Sequence, residues 1–221
     1  EHGAGSATSP DGLYLPGLGG PHLRGAAHLV TYANIRFITM QLHTGGYFHI
    51  YNRSNGSELV FREDENYLYF LRLYRRHLTQ HLTTIAYCLM PTHFHLLVRV
   101  KSEAIDEAQS AVGILLSSYT KAINHRHARH GSLFQRHTKA KWVDDERYLL
   151  TLLTYIHQNP IRAGLADRLE AWPFSSYPDL AGYRAGSLCD RELIATFFPR
   201  IEEVRAFSEA TIKSIESRYW V

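Results

Sequence analysis

Four stretches of the chain have the hydrophobic pattern of β-strands. They are residues 47–51, 82–90, 93–100 and 138–143. The first alternates, with Phe48 and Ile50 as its apolar positions, which is typical of a strand with one face toward a core. The second and third are almost continuously apolar and are separated by Pro91, which cannot donate to a sheet ladder. We therefore predict a sheet in which these two neighbours pair.

Apolar residues spaced by three and four predict helices between and after these strands. One helix covers residues 63–77, a second ends near residue 125, and a third opens at Asp144 and ends near Asn159 and Pro160. A short helix is expected near residue 191 and a longer one over 201–219. The second helix carries its stripe on Ile105, Ala108, Val112, Leu115, Tyr119 and Ala122.

The order strand, helix, strand, strand, helix, strand, helix favours an α+β fold. It suits a ferredoxin-like split βαβ arrangement, an antiparallel sheet with helices packed on one face. Residues 1–44 are rich in glycine and proline and have no sustained periodicity. We interpret them as a flexible leader, an artificial extension or an over-extended start. Residues 45–178 then form the main domain, and residues 179–221 a C-terminal helical extension.

Charge is unevenly distributed along the 221 residues, although the formal net charge is only +3. Between Glu65 and Asp144 there are eleven lysines and arginines but only three acids. Such a block neutralises phosphates, so it favours a nucleic-acid partner, while a solvated basic face remains the alternative. No apolar stretch approaches the roughly 18 residues that cross a bilayer. We expect a soluble, cytoplasmic, nucleoid-associated protein, whose two cysteines, Cys88 and Cys189, build no zinc site.

Two histidines stand out because of their spacing. His93 and His95 are two apart on a predicted strand, so both imidazoles leave the same face. Such a pair can hold a divalent cation that also touches a substrate oxygen. The chain has 14 histidines, and a second pair at the same spacing, His125 and His127, exists. Spacing alone therefore leaves two interpretations, metal ligands or two half-exposed strand histidines.

Four motifs in order resemble the REP-associated tyrosine transposases, which are HUH single-strand endonucleases. They are residues 87–98 (YCLMPTHFHLLV), 119–124 (YTKAIN), 155–165 (YIHQNPIRAGL) and 172–177 (WPFSSY). The first contains the His-hydrophobic-His strand, with Thr92 where the family usually has Asn. The resemblance covers about residues 46–177.

The resemblance implies a transposase that uses Mg²⁺ or Mn²⁺ to nick and join single-stranded DNA at hairpin-forming repeat elements through a 5′-phosphotyrosine. It implies an HUH catalytic domain over residues 45–178, working as a monomer or homodimer. By position after the histidine strand, Tyr119 is the expected nucleophile, and Asn124 the expected third metal ligand beside His93 and His95. The expected phosphate contacts are Arg126, Arg129, Arg136, Lys139 and Lys141.

Other roles for these residues remain open. Tyr119 continues the apolar stripe of its helix, as a core tyrosine does. Asn124 lies about 140° around the helix from Tyr119, and its alternative role is to end that helix. For the whole chain, the rivals are a non-enzymatic ferredoxin-like binder of single-stranded nucleic acid and a metal-dependent phosphodiesterase that uses water.

Overall fold

A four-stranded antiparallel sheet organises the chain. The computed structural model describes residues 41–56, 58–101 and 105–210, so most of the expected leader and the end of the C-terminal extension lie outside the described residues. The strands are β1 (Tyr47–Arg53), β2 (Leu82–Met90), β3 (His93–Val100) and β4 (Lys139–Val143). Their spatial order is β2-β3-β1-β4. This is the order of a split βαβ fold, so the predicted α+β class is confirmed.

Six helices connect and follow the strands in the described residues. They are α1 (Asp64–His77), α2 (Ile105–Arg126), α3 (Glu146–Arg162), α4 (Tyr177–Leu180), α5 (Arg191–Phe197) and α6 (Ile201–Glu209), with a 3₁₀ turn at Leu169–Ala171. None of the described helices is long and apolar enough to span a membrane. Buried residues of α5 and α6, Ile194 and Val204, join the same hydrophobic core as the sheet.

Helices cover both faces of the sheet, and the expectation of one covered face holds only for α1 and α2. Phe94 of β3 packs against Phe70 of α1, with ring centroids 5.3 Å apart. His95, the next residue, points to the opposite face and packs against Tyr155 of α3 at 5.5 Å. The physical reason lies in β2 and β3, whose nearly continuous apolar runs are buried on both sides and so require two layers of cover.

Helix α3 also continues further than the sequence predicted. Pro160 lies inside its last turn, and the helix ends at Arg162 rather than near Asn159. Gly164 then adopts a positive φ of 67°, and the N–H of Leu165 donates to the Pro160 carbonyl at 2.8 Å, which closes the end. Tyr155 and Asn159 therefore belong to one continuous helix, one turn apart.

The outer edge of β2 is covered by residues 172–177. The N–H of Leu89 donates to the Phe174 carbonyl at 2.9 Å, and the N–H of Ser176 donates to the Tyr87 carbonyl at 2.9 Å. The Trp172 indole donates to the Leu89 carbonyl at 3.0 Å. These bonds satisfy backbone groups that an open edge strand would expose.

The packing on the Phe94 face generates a stability prediction. Phe70→Ala removes a fully buried ring and should lower the free energy of unfolding by about 3–5 kcal/mol, because it leaves a cavity between α1 and the sheet. Leu68→Ala on the same helix is the control, since Leu68 is 46% exposed, and its effect should stay within about 0.5 kcal/mol. Urea denaturation measures both values, and equal losses would contradict this account of the layer.

Candidate active site

Two histidines of β3 converge on the face that α3 covers. The ring centroids of His93 and His95 are 5.1 Å apart, and the rings are nearly perpendicular. Thr92 Oγ1 lies 3.0 Å from His93 Nδ1, and His49 Nε2 of β1 lies 2.9 Å from His95 Nδ1. Each histidine thus has its Nδ1 engaged by a neighbour, which leaves its Nε2 for another partner.

The free nitrogen of His95 is the feature that a metal would explain. Among the described residues, His95 Nε2 is buried and has no hydrogen-bond partner. Buried polar atoms are nearly always paired, so an unpaired ring nitrogen beside a second imidazole is a candidate position for a ligand. Neutral imidazole is also a common ligand of divalent metals. The residues present therefore fit a cation at this point.

The pKa values of these histidines are shifted toward the neutral form. Burial, with a smaller contribution from the Lys141 charge, lowers the pKa of His49 to about 3. Burial also lowers the pKa of His95 well below its usual value and lowers that of His93. These shifts favour the neutral form of all three rings, which is the form that coordinates a metal or supports a ligand.

Helix α3 brings a tyrosine and an amide to the histidines. Tyr155 lies edge-to-face against His95, with the rings at 82°. Asn159, four residues later, shares its helix face and donates from Nδ2 to the Tyr155 carbonyl at 3.1 Å. The Asn159 amide also opposes the burial shifts of two neighbours, since it raises the pKa of His93 and lowers the pKa of the Tyr155 hydroxyl. One amide therefore interacts with both a histidine and a tyrosine.

No described group of three His, Cys, Asp or Glu side chains could hold a metal. A cation at this point would need a ligand of another type beside His93 and His95. The Asn159 side-chain oxygen is such a donor, since this amide side chain hydrogen-bonds with His93. The arrangement then resembles an open site of two imidazoles and one amide, which leaves positions for substrate oxygens.

Basic side chains flank the histidines on the same sheet face. In the strand register, Lys141 of β4 lies opposite His49, and Lys139 lies opposite Tyr51. Lys139 Nζ lies 5.8 Å from the centroid of the Tyr51 ring, and Arg53 lies opposite His93. A phosphate backbone that crossed this face would meet cations next to the histidines.

Tyr119, the nucleophile expected from the motif order, lies on the other face of the sheet. Its side chain is 0% exposed, and its hydroxyl donates to the Val60 carbonyl at 2.9 Å. Its ring packs on Phe70, which in turn packs on Phe94. Because Phe94 and His95 point to opposite faces, the sheet separates Tyr119 from the histidines.

Asn124, Arg126 and Arg129 are similarly engaged away from the histidines. The Asn124 amide donates to the Gly131 carbonyl at 2.9 Å and accepts from the Arg129 guanidinium, so it closes the turn after α2. Arg129 also pairs with Glu58 at 2.7 Å, and Arg126 pairs with Glu63 at 2.6 Å. Of the five expected phosphate contacts, Lys139 and Lys141 thus lie on the histidine face, and Arg136 is exposed in the loop before β4.

Three residues near the histidines were not expected from the sequence as site residues, namely Tyr155, Asn159 and His49. The spacing of these residues in the sequence did contain a signal for each of them. Tyr155 and Asn159 are four apart, which keeps both on one helix face. His49 alternates with apolar residues on the strand that pairs with β3. His157 belongs to the same motif as Tyr155 and Asn159, but it is a structural residue. Its two ring nitrogens lie 2.8 Å from Ser208 Oγ and 3.1 Å from Ser176 Oγ.

Comparison with known proteins agrees with the resemblance that the four motifs indicate. A curated Haemophilus influenzae protein named as a REP-associated tyrosine transposase is 27% identical over 103 residues, which is 42% of this chain and 58% of the relative. The chain thus matches little more than half of that relative's length. A scan against models of known protein families gives no match.

A solved structure has the same fold. It is a REP-associated tyrosine transposase bound to a REP hairpin, with a TM-score of 0.53 and 18% sequence identity. The match covers 68% of this chain and 92% of that one. This likeness shows the fold. The curated relative agrees with the resemblance that the four motifs indicate.

The buried hydrogen bond of Tyr119 generates a second stability prediction. Tyr119→Phe keeps the ring but leaves the Val60 carbonyl without this donor, so the free energy of unfolding should fall by about 1–2 kcal/mol. Tyr183→Phe is the control, because Tyr183 is largely exposed. Urea denaturation of both variants is the measurement. A Tyr119 variant as stable as wild type would show that this hydroxyl has no structural role.

Proposed function

We propose that the chain is a metal-dependent transposase that nicks and joins single-stranded DNA at hairpin-forming repeat elements, with Tyr155 as its nucleophile. The observation that carries the proposal is the meeting of His93, His95, Tyr155 and Asn159 between β3 and α3. The name of the curated relative and the hairpin bound in the similar structure support the same substrate class.

The proposed ligands of the cation are the two β3 imidazoles and the Asn159 side-chain oxygen. The orphaned Nε2 of His95 supports this assignment, because the atom lacks any other partner in the described residues. A bound Mg²⁺ or Mn²⁺ supplies Lewis-acid polarisation of the scissile phosphate. The protein contributes neutral rings that neighbours hold in one orientation.

Tyr155 is proposed as the residue that attacks phosphorus. Its hydroxyl oxygen forms a bond to the phosphate, the bond from phosphorus to the 3′-oxygen breaks, and the 5′-phosphate stays on the tyrosine. The hydroxyl proton leaves to solvent, and the departing 3′-oxygen gains a proton to become a 3′-hydroxyl. The phosphodiester is conserved as phosphotyrosine, so a second strand end can be joined later without another energy source.

The Asn159 amide has a second proposed task. Burial against His95 raises the pKa of the Tyr155 hydroxyl, and the hydrogen bond of the amide lowers it. An amide that donates to the oxygen stabilises the developing phenolate as the proton leaves. Asn159 would therefore link the nucleophile to the metal site through one side chain.

We propose that single-stranded DNA crosses the sheet face that carries Tyr51, Lys139 and Lys141. Two lysines on one edge strand match a phosphate track, and the Tyr51 ring offers a surface on which a base can stack. Arg126 and Arg129 are assigned to structure instead, because their guanidinium groups pair with carboxylates of the chain.

A pair of tyrosine variants tests the nucleophile. Tyr155→Phe should abolish both cleavage of a labelled single-stranded hairpin and formation of a denaturant-resistant protein–DNA adduct, because it removes only the attacking hydroxyl. DNA binding should persist. Tyr119→Phe is the matched control and should retain both activities at a temperature where it is folded. Reaction with Mn²⁺ followed by denaturing gel electrophoresis is the measurement.

Each other outcome selects a rival. If the Tyr155 variant still cuts without an adduct, water is the nucleophile and the phosphodiesterase alternative holds. If Tyr119→Phe loses the adduct while Tyr155→Phe keeps it, the nucleophile is the one expected from motif order. If the wild-type chain binds hairpins tightly but never cuts them, the chain is a binding module.

The lysine track generates a prediction for binding. Replacing Lys139 and Lys141 with alanine should weaken affinity for single-stranded DNA and reduce the log–log salt slope by about 0.7 for each phosphate that the chain no longer neutralises. Arg126→Ala is the control and should leave the slope unchanged, since Arg126 pairs with Glu63. Fluorescence anisotropy at several salt concentrations measures both. If the salt slope changes for Arg126→Ala and not for the lysine variant, the phosphate contacts lie on α2 instead of β4.

A further inference from the structure

The proposed metal ligand His95 is held by a histidine of the neighbouring strand. His49 lies diagonally across the β1–β3 ladder, where its direct partner is Leu97. The His49 and His95 rings are inclined by only 19°, with Nε2 of the former 2.9 Å from Nδ1 of the latter. Both side chains are buried, and the Tyr51 ring packs against His49 at 4.6 Å. The hydrogen bond to His95 therefore connects His49 to the candidate metal site.

The direction of this hydrogen bond decides what His95 can do. A neutral imidazole carries one N–H and one lone pair, on different nitrogens. If His49 donated, the proton of His95 would sit on Nε2, which is buried without any described acceptor. If His95 donates from Nδ1, its Nε2 carries a lone pair instead. A buried N–H without an acceptor is rare, and only the second arrangement leaves a lone pair that a metal can use.

We infer that His49 is a positioning residue that accepts a hydrogen bond from Nδ1–H of His95 and so keeps the Nε2 lone pair of His95 directed at the cation site. This inference rests on the proposed function. His49 is not assigned as a ligand of that cation, because its Nε2 is occupied by His95. Its effect is to fix the tautomer and the ring orientation of a ligand, as second partners of metal-bound histidines do.

The first test measures the tautomer without any metal or substrate. A long-range ¹H–¹⁵N spectrum of the uniformly labelled full chain should show His95 protonated on Nδ1 and unprotonated on Nε2, with the signals assigned by their loss in His95→Ala. A His95 proton on Nε2 would overturn the inference. This measurement needs no His49 variant, so it holds even if such a variant fails to fold.

The second test compares two His49 variants by Mn²⁺ titration calorimetry. His49→Leu removes the acceptor and should weaken Mn²⁺ affinity roughly 10- to 100-fold. His49→Gln keeps an acceptor oxygen near the former Nε2 position and should bind Mn²⁺ close to the wild-type level. His125→Leu removes an exposed histidine of α2 and should have no effect.

The outcomes separate this inference from the proposed function. If His95→Ala loses Mn²⁺ but His49→Leu binds it as tightly as wild type, the metal site stands and the role of His49 is overturned. If both variants at position 49 lose affinity equally, the hydrogen bond is not the cause. A wild-type chain that does not bind Mn²⁺ would overturn the metal site itself and His49's role with it.

Discussion

The structure depends on the burial of β3 between two layers of helices. Successive residues of a strand point to opposite faces, so Phe94 and His95 are assigned to different layers by a single step along the backbone. Phe94 enters an aromatic core with α1, and His95 meets α3. A shift of one residue in strand register would exchange the two and bury the core aromatic among polar groups. The core that stabilises the fold therefore also determines where the imidazoles point.

Burying three imidazoles is unfavourable unless their polar atoms are paired. The chain meets this requirement with hydrogen-bonding neighbours: Thr92 and Asn159 for His93, and His49 for His95. Only Nε2 of His95 is left without a partner among these described contacts. A residual unpaired atom on a well-packed strand is costly for stability, and natural chains keep such a cost at functional positions. The energetic argument and the chemical argument thus identify the same nitrogen.

Much of the sheet could be predicted from the sequence, because β2 and β3 are almost continuously apolar and are separated by Pro91. The histidine pair followed from period-two spacing. The sequence did not distinguish Tyr119 from Tyr155 as the residue nearer the histidines, because that depends on which sheet face each helix covers. The two crossover helices of a split βαβ fold share one face. A helix that follows the last strand has no such constraint, and α3 covers the other side.

The two tyrosine motifs differ in a way that local geometry can judge. Asn124 is five positions after Tyr119, which turns their side chains about 140° apart, whereas Asn159 is four positions after Tyr155, which leaves them about 40° apart. Only Tyr155 and Asn159 therefore lie on one helix face, where both side chains can reach the same place.

The fold also divides the basic residues of the chain. The acid-poor block is continuous in sequence, yet Arg126 pairs with a carboxylate beside α2 while Lys139 lies on the histidine face. Cations that are neighbours in the chain therefore lie in different surroundings, because strand register places the lysines on the histidine face while the arginines pair with carboxylates near α2.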